Sequence, residues 1–282
     1  MTDILLEHFS LRRHPFTNEI DADAFHGFQS FQQGFLRLEQ ILPQRGAALV
    51  VGEPGAGKTA LVRYFIRRLA PSSFVVLDQV ISPGPNPIKP VIEGLLTLLG
   101  EPIPFNNPAR SLRRLKQCIQ AIYEKRQTPV VILDDVQHLT EASWLTMKSL
   151  MNYDLDSKSP LLFVLMGARQ DTLRQLSLSS LTEVRDRLAF CFHLKGLKSE
   201  EVEGYLEKRL KWAGAAHPLF PTAIAEQIGR HAQGLPRRIN RLANACLLAA
   251  ASDKRNLIDQ DCLDRAISET QFQAPRREEE ER

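Results

Sequence analysis

Five short apolar runs punctuate the first two-thirds of the chain, at residues 47–51, 74–77, 130–133, 161–166 and 190–194. The middle runs are continuously apolar rather than alternating, as parallel strands covered on both faces require. Longer stretches of helical pattern separate them. Strand and helix in alternation imply βαβ crossovers, so the pattern predicts an α/β fold with a five-stranded parallel sheet. After Leu197 the strand signals stop. Ser199 reads as an N-cap, with Glu200, Glu201 and Glu203 enriching the first turn of a helix that ends near Gly214. Residues 221–232, 237–251 and 259–270 read as three further helices, a small all-helical lid after the α/β body. The expected division is 1–197 for the α/β domain with its N-terminal segment, 198–270 for the lid and 271–282 for a flexible charged tail. Residues 82–90 (SPGPNPIKP) are so rich in proline and glycine that they predict a loop.

Composition adds limits rather than direction. Of 282 residues, 43% are hydrophobic, enough for a sizeable core, and 24% are charged, enough to keep the surface soluble. No run reaches the roughly eighteen apolar residues of a membrane span. The N-terminus carries charge within three residues and has no apolar signal region. A cytoplasmic location without a membrane partner is therefore expected. Cys118, Cys191, Cys246 and Cys262 are scattered with no CxxC pair, the pattern of reduced thiols rather than of a zinc site or disulfide framework. A formal net charge of +3 neither demands nor excludes nucleic acid, so that question rests on where the basic residues sit.

The chemistry is concentrated in Gly52-Glu53-Pro54-Gly55-Ala56-Gly57-Lys58-Thr59, followed by Ala60, which fits GxxxxGK[ST] without a mismatch. It follows an apolar strand and opens a helical pattern, the context that distinguishes a phosphate loop from a chance glycine cluster. Glycines let successive N–H groups turn toward phosphate oxygens, and the helix N-terminus adds its dipole. Lys58 is expected at the β and γ phosphates, and the Thr59 hydroxyl on Mg²⁺. A second apolar run, Val130-Val131-Ile132-Leu133, ends in Asp134 and Asp135. A carboxylate at a strand's C-terminal end can hold the Mg²⁺ shell, and its neighbour can polarise the attacking water. Asp134 is assigned to the metal and Asp135 to the water.

These motifs resemble the AAA+ superfamily of P-loop NTPases and, within it, the ExeA-like branch, which holds a secretion-associated ATPase and the TnsC and TniB type transposition ATPases. The resemblance spans nearly the whole chain. It runs from Phe9-x-Leu11-x-x-x-Pro15-Phe16, through the phosphate loop and Asp134-Asp135-Val136-Gln137, to Gly234-Leu235-Pro236-Arg237-Arg238-Ile239-Asn240. It implies ATP as nucleotide, Mg²⁺ as cofactor and a homo-oligomer, ring or helical filament. By position it implies that Arg237 reaches the γ-phosphate from the lid, with an ordinary helix-terminal cation as the alternative. Arg187 is implied as a finger for a neighbouring subunit's nucleotide. Arg185 fits either that role or pairing with Glu183 or Asp186. Pro15, Phe16 and Phe25 fit either an adenine face or plain core. At the sensor-1 position the chain reads Gly167-Ala168-Arg169-Gln170, so the sensor is shifted to Arg169 or Gln170, or missing. AAA+ proteins usually have Glu where Asp135 stands, and the shorter side chain predicts slow hydrolysis.

Two roles compete for such a switch. One is a DNA-binding regulator of transposition that assembles on double-stranded DNA and presents it to a transposase and target-selection proteins. The other is an ExeA-like secretion-associated assembly ATPase. ExeA-like proteins continue into a membrane span, so the absence of a span favours the DNA reading. Arg110, Arg113 and Arg114 share one predicted helical face, with Lys89 nearby, and are the candidate phosphate-backbone contacts. A solvated helix face accounts for each of them equally well.

Overall fold

A computed structural model describes residues 3–17, 27–84, 87–104, 107–151 and 160–270. Phe25 and the charged tail, both singled out above, lie outside the described residues. The chain divides into two compact units, one of Ser30–Lys195 and one that joins Met1–Gln29 to Gly196–Arg282.

In the first unit, strands β1 (Gly46–Gly52), β2 (Phe74–Val80), β3 (Thr128–Asp134), β4 (Leu162–Ala168) and β5 (Leu188–His193) form one parallel sheet in the order β2-β3-β4-β1-β5. Each of the five apolar runs falls on one of these strands, with only Leu161 and Leu194 just outside. β1, β3 and β4 bury six of their seven residues each, because both faces of a central strand are covered. Edge strands β2 and β5 are only partly buried. Parallel register brings the C-terminal ends to one rim, where Gly52 lies opposite Ala168 and Val51 opposite His193. Helices α2 (Gln29–Ile41), α3 (Lys58–Ile66), α4 (Ile88–Leu98), α5 (Pro108–Glu124) and α6 (Glu141–Met151) connect or flank the strands. The short α7 (Arg169–Leu176) and α8 (Thr182–Arg185) follow β4. Trp144, Phe65 and Phe163 are among the largest fully buried side chains.

The loop expected over 82–90 ends earlier. Residues 88–90 form the first turn of α4, where Pro90 is tolerated because first-turn N–H groups have no intrahelical acceptor. Lys89 is therefore helical and pairs with Glu93 at 3.9 Å.

The second unit holds α1 (Ile4–His8), α9 (Ser199–Ala213), α10 (Thr222–His231), α11 (Pro236–Ser252) and α12 (Gln260–Thr270). Ser199 is the first helical residue rather than the cap. Lys198 takes the cap position and its N–H donates to Glu201 Oε2 at 2.8 Å. The N-terminal segment, expected with the α/β domain, belongs to this helical unit. The Arg12 N–H donates to the Ala213 carbonyl at 2.8 Å, and Phe16 meets Phe220 edge to face at 6.3 Å. Arg209, only 1% exposed, donates to the carbonyls of Pro15 at 2.7 Å and Thr17 at 2.8 Å. Burial lowers its pKa, with Tyr205 opposing, and the two carbonyls compensate part of the lost hydration. The buried cation thus explains why the segment folds onto α9. Among the described residues, no helix is long and apolar enough to cross a membrane.

Candidate nucleotide site

The site is built where β1, β3 and β4 end. β1 stops at Gly52, which lies so close to the end of β5 that an added Cβ would come within 2.7 Å of the Leu194 carbonyl oxygen. Only glycine permits that approach. The chain then turns through Glu53 and Pro54, and Gly57 enters α3 with φ near 98°, a left-handed conformation that side chains disfavour. Ala56 is buried beneath the loop and its N–H donates to the Glu53 carbonyl at 3.0 Å. The Lys58 ammonium folds back over this loop, donating to the carbonyls of Gly52 at 2.9 Å and Glu53 at 3.3 Å. Thr59 and Ala60 lie in the first turn of α3.

Residues 75 positions apart meet here, because the Thr59 hydroxyl donates to Asp134 Oδ2 at 2.8 Å. Asp134 also accepts the Asp135 N–H through Oδ1 at 2.9 Å. Asp135 itself takes the left-handed conformation, φ 59°, and starts a 3-10 turn over Val136–His138. Its Oδ1 accepts from Gln137 Nε2 at 3.0 Å. The donor set suits a polyphosphate with a hard divalent cation: an ammonium and a helix N-terminus for the anion, a hydroxyl and a carboxylate for the metal.

At the sensor-1 position, Ala168 ends β4 and Arg169 opens α7 as an exposed residue. The charge of Arg169 acts toward β5, where it helps to lower the pKa of His193, after burial and ahead of Lys195, while Glu53 opposes. The Ala168 N–H is taken by Gln137 Oε1 at 2.9 Å. Gln137 was quoted above only as part of a motif. Its one sequence signal is a polar residue two positions after the second acid.

The two finger candidates separate. Arg185 is not paired with Glu183, which meets Lys148, nor with Asp186. Its guanidinium donates to the carbonyls of Leu176 and Leu178 and to Thr182 Oγ1, the last two at 2.9 and 2.8 Å, and so caps the end of α7. Arg187 precedes β5 and, with Gly46, Met151, Pro160 and Leu161, lines a shallow pocket at the N-terminal rim of the sheet. One strand of seven residues separates that rim from the phosphate loop of the same chain, about 20 Å. Arg237 is an exposed residue in the first turn of α11, in the helical unit.

Of the candidate DNA contacts, Arg114 donates through Nε and Nη2 to Glu101 Oε2 at 2.9 and 2.7 Å. This pair raises the arginine's pKa through the hydrogen bond and charge of Glu101. Arg110 and Arg113 are exposed on α5 with no carboxylate partner among the described residues.

Comparison with known proteins places these observations. Residues 42–176 match the family model of the AAA domain. The chain is 29% identical over 212 residues to the General secretion pathway protein A of Aeromonas hydrophila, covering 73% of this chain and 37% of that protein. It therefore spans little more than a third of that relative, and where this chain ends says nothing about a membrane span. The span argument for a DNA role falls with it. Among solved structures, the Aeropyrum pernix ORC2 protein in its ADPNP-ADP complexes aligns at TM-score 0.69 and 18% identity, over 91% of this chain and 71% of that one. The Aeropyrum pernix ORC1 protein in complex with DNA aligns at TM-score 0.63 and 16% identity, over 84% and 64%. At such identities the likeness is one of fold. The sheet order, the phosphate loop and the AAA domain match converge: this chain is an ATPase with the AAA+ P-loop fold.

Proposed function

We propose that this chain is an ATP-dependent assembly switch whose nucleotide site is completed by a neighbouring copy. The observation that carries the reading is the Thr59 to Asp134 hydrogen bond, which joins the end of the phosphate loop to the end of β3. Lys58 leaves its carbonyl partners for the β and γ phosphates, and Gly52 to Gly57 wrap them. Thr59 and Asp134 would hold Mg²⁺, which would neutralise charge on the phosphate oxygens. Asp135 orients the water. Arg187, remote from its own loop, serves the site of the next subunit, and Arg237 closes on the γ-phosphate. A carboxylate one methylene short of glutamate holds the water less well, so turnover is slow. ATP as the substrate supports the cytoplasmic location expected from the sequence.

The likeness to a general secretion pathway protein supports an ExeA-like role, in which ATP drives assembly within a secretion apparatus. None of the relatives named above is described as a transposition protein. A DNA-binding reading keeps one supporting observation, the exposed Arg110 and Arg113 on α5. Contacts of that kind are electrostatic and weakly sequence-specific.

Titration with ATP and Mg²⁺ tests the site. The wild type binds, and Lys58→Ala loses about tenfold or more in affinity, the cost of a charge-assisted phosphate contact. Equal affinity would remove the loop from the account. Electron microscopy with an ATP analogue, with and without duplex DNA, separates the two roles: assembly indifferent to DNA supports the secretion-type reading, and assembly only on DNA supports the other.

A further inference from the structure

We infer that Gln137 is a positioning residue for hydrolysis, tying Asp135 to the end of β4 in place of a polar side chain from that strand. The inference rests on the reading of Asp135 as the residue that orients the attacking water.

Three observations converge on it. First, β4 ends in Gly167-Ala168 and offers no polar side chain toward Asp135. Gly167 has no room for one: an added Cβ would lie 2.2 Å from Thr172 Oγ1, 3.0 Å from Val136 Cγ2 and 3.3 Å from Gln137 Oε1. Second, the Gln137 amide bridges the gap. Its Nε2 donates to Asp135 Oδ1 at 3.0 Å while its Oε1 accepts the Ala168 N–H at 2.9 Å. The amide has only one orientation, since a carboxylate accepts and a backbone N–H donates. Third, Gln137 is itself anchored. Its carbonyl accepts from Gln175 Nε2 at 2.8 Å, and Gln175 Oε1 accepts from the indole N–H of fully buried Trp144 at 3.2 Å. A chain of hydrogen bonds thus runs from the core to one carboxylate oxygen.

Asp135 depends on this tether. Its backbone is left-handed, and Gln137 is the hydrogen-bond partner of its carboxylate among the described residues. Without the amide the short side chain can leave the orientation that places the water, and misplacement of a reacting group by about 1 Å costs on the order of 100-fold in rate. Lys58 donates to loop carbonyls and Thr59 to Asp134, whereas Gln137 bonds Asp135 and Ala168, so nucleotide affinity is expected not to depend on Gln137.

The test compares Gln137→Glu, Gln137→Met and Asp135→Asn with the wild type in three measurements: ATP affinity, single-turnover hydrolysis and hydrogen exchange of the Ala168 amide in nucleotide-free protein. Glutamate keeps the acceptor for Ala168 and loses the donor to Asp135, whereas methionine keeps only length. Both Gln137 variants are expected to bind ATP as the wild type does and to hydrolyse it about 10- to 100-fold more slowly. The Ala168 amide stays protected in Gln137→Glu and exchanges faster in Gln137→Met. A purely structural role predicts instead that hydrolysis follows that protection, with Gln137→Glu active. Wild-type hydrolysis in Gln137→Glu beside an inactive Asp135→Asn overturns the role of Gln137 alone. An active Asp135→Asn overturns the reading of Asp135 and this inference with it. Should Gln137→Met fail to fold, Gln137→Glu still decides.

Discussion

Side chains at the rim of the sheet are selected as much by the space denied to them as by their chemistry. Gly167 leaves the volume that the Thr172 hydroxyl occupies, and that hydroxyl is buried without a hydrogen-bond partner among the described residues. Gly167→Ala must displace Thr172 or the Val136 methyl, so it is expected to lower stability by ~1–3 kcal/mol, the usual range for overpacking a core. Denaturant unfolding followed by circular dichroism measures it, and an unchanged midpoint would mean that the rim yields. The same contrast marks what was readable at this scale. Lys58 and Thr59 stand in a contiguous motif whose spacing is fixed by one turn of backbone, so their place at the start of α3 could be read from order alone. Gln137 and Arg185 act on Ala168 and on the Leu176 and Leu178 carbonyls, partners at separations that only the folded chain defines.

Secondary-structure elements were legible where burial is continuous and less so where it is partial. The central strands announce themselves because covering on both faces demands unbroken apolar runs. The start of α4 did not, because a proline in a first turn gives the same local signal as a proline in a loop. Charged residues on helices were the least legible. Arg114 carries the helical spacing of a phosphate contact, yet Glu101 occupies its guanidinium. Arg185 likewise supports an element: it binds the Leu176 carbonyl at the end of α7 and the Leu178 carbonyl just beyond it, which also accepts the Leu181 N–H. Arg185→Ala is expected to cost ~1–3 kcal/mol of stability, since hydrogen bonds from a charged donor are lost together. Denaturant unfolding measures the loss, and an unchanged midpoint would mean that the end of α7 holds without the Arg185 guanidinium.

Over the whole molecule, the chain forms two compact units, one of which joins both ends of the sequence. The N-terminal segment joins the helical unit through Arg209, a buried cation that takes main-chain carbonyls nearly two hundred positions away in sequence. No local pattern encodes such a pairing. Within the α/β unit, the phosphate loop and Arg187 lie at opposite rims of one parallel sheet, a separation that a single copy does not close. A head-to-tail assembly, as proposed above, would close it, with one copy's Arg187 at the next copy's loop. The central claim is thus that hydrolysis needs two chains per site, and mixing two inactive variants tests it most directly. Asp135→Asn retains Arg187, Arg187→Ala retains Asp135, and in an equal mixture about one interface in four unites both intact halves by random pairing. Hydrolysis near that fraction of the wild-type rate, from two proteins each inactive alone, is the predicted result. A mixture as inactive as its components, in assemblies proven to contain both, would contradict the account.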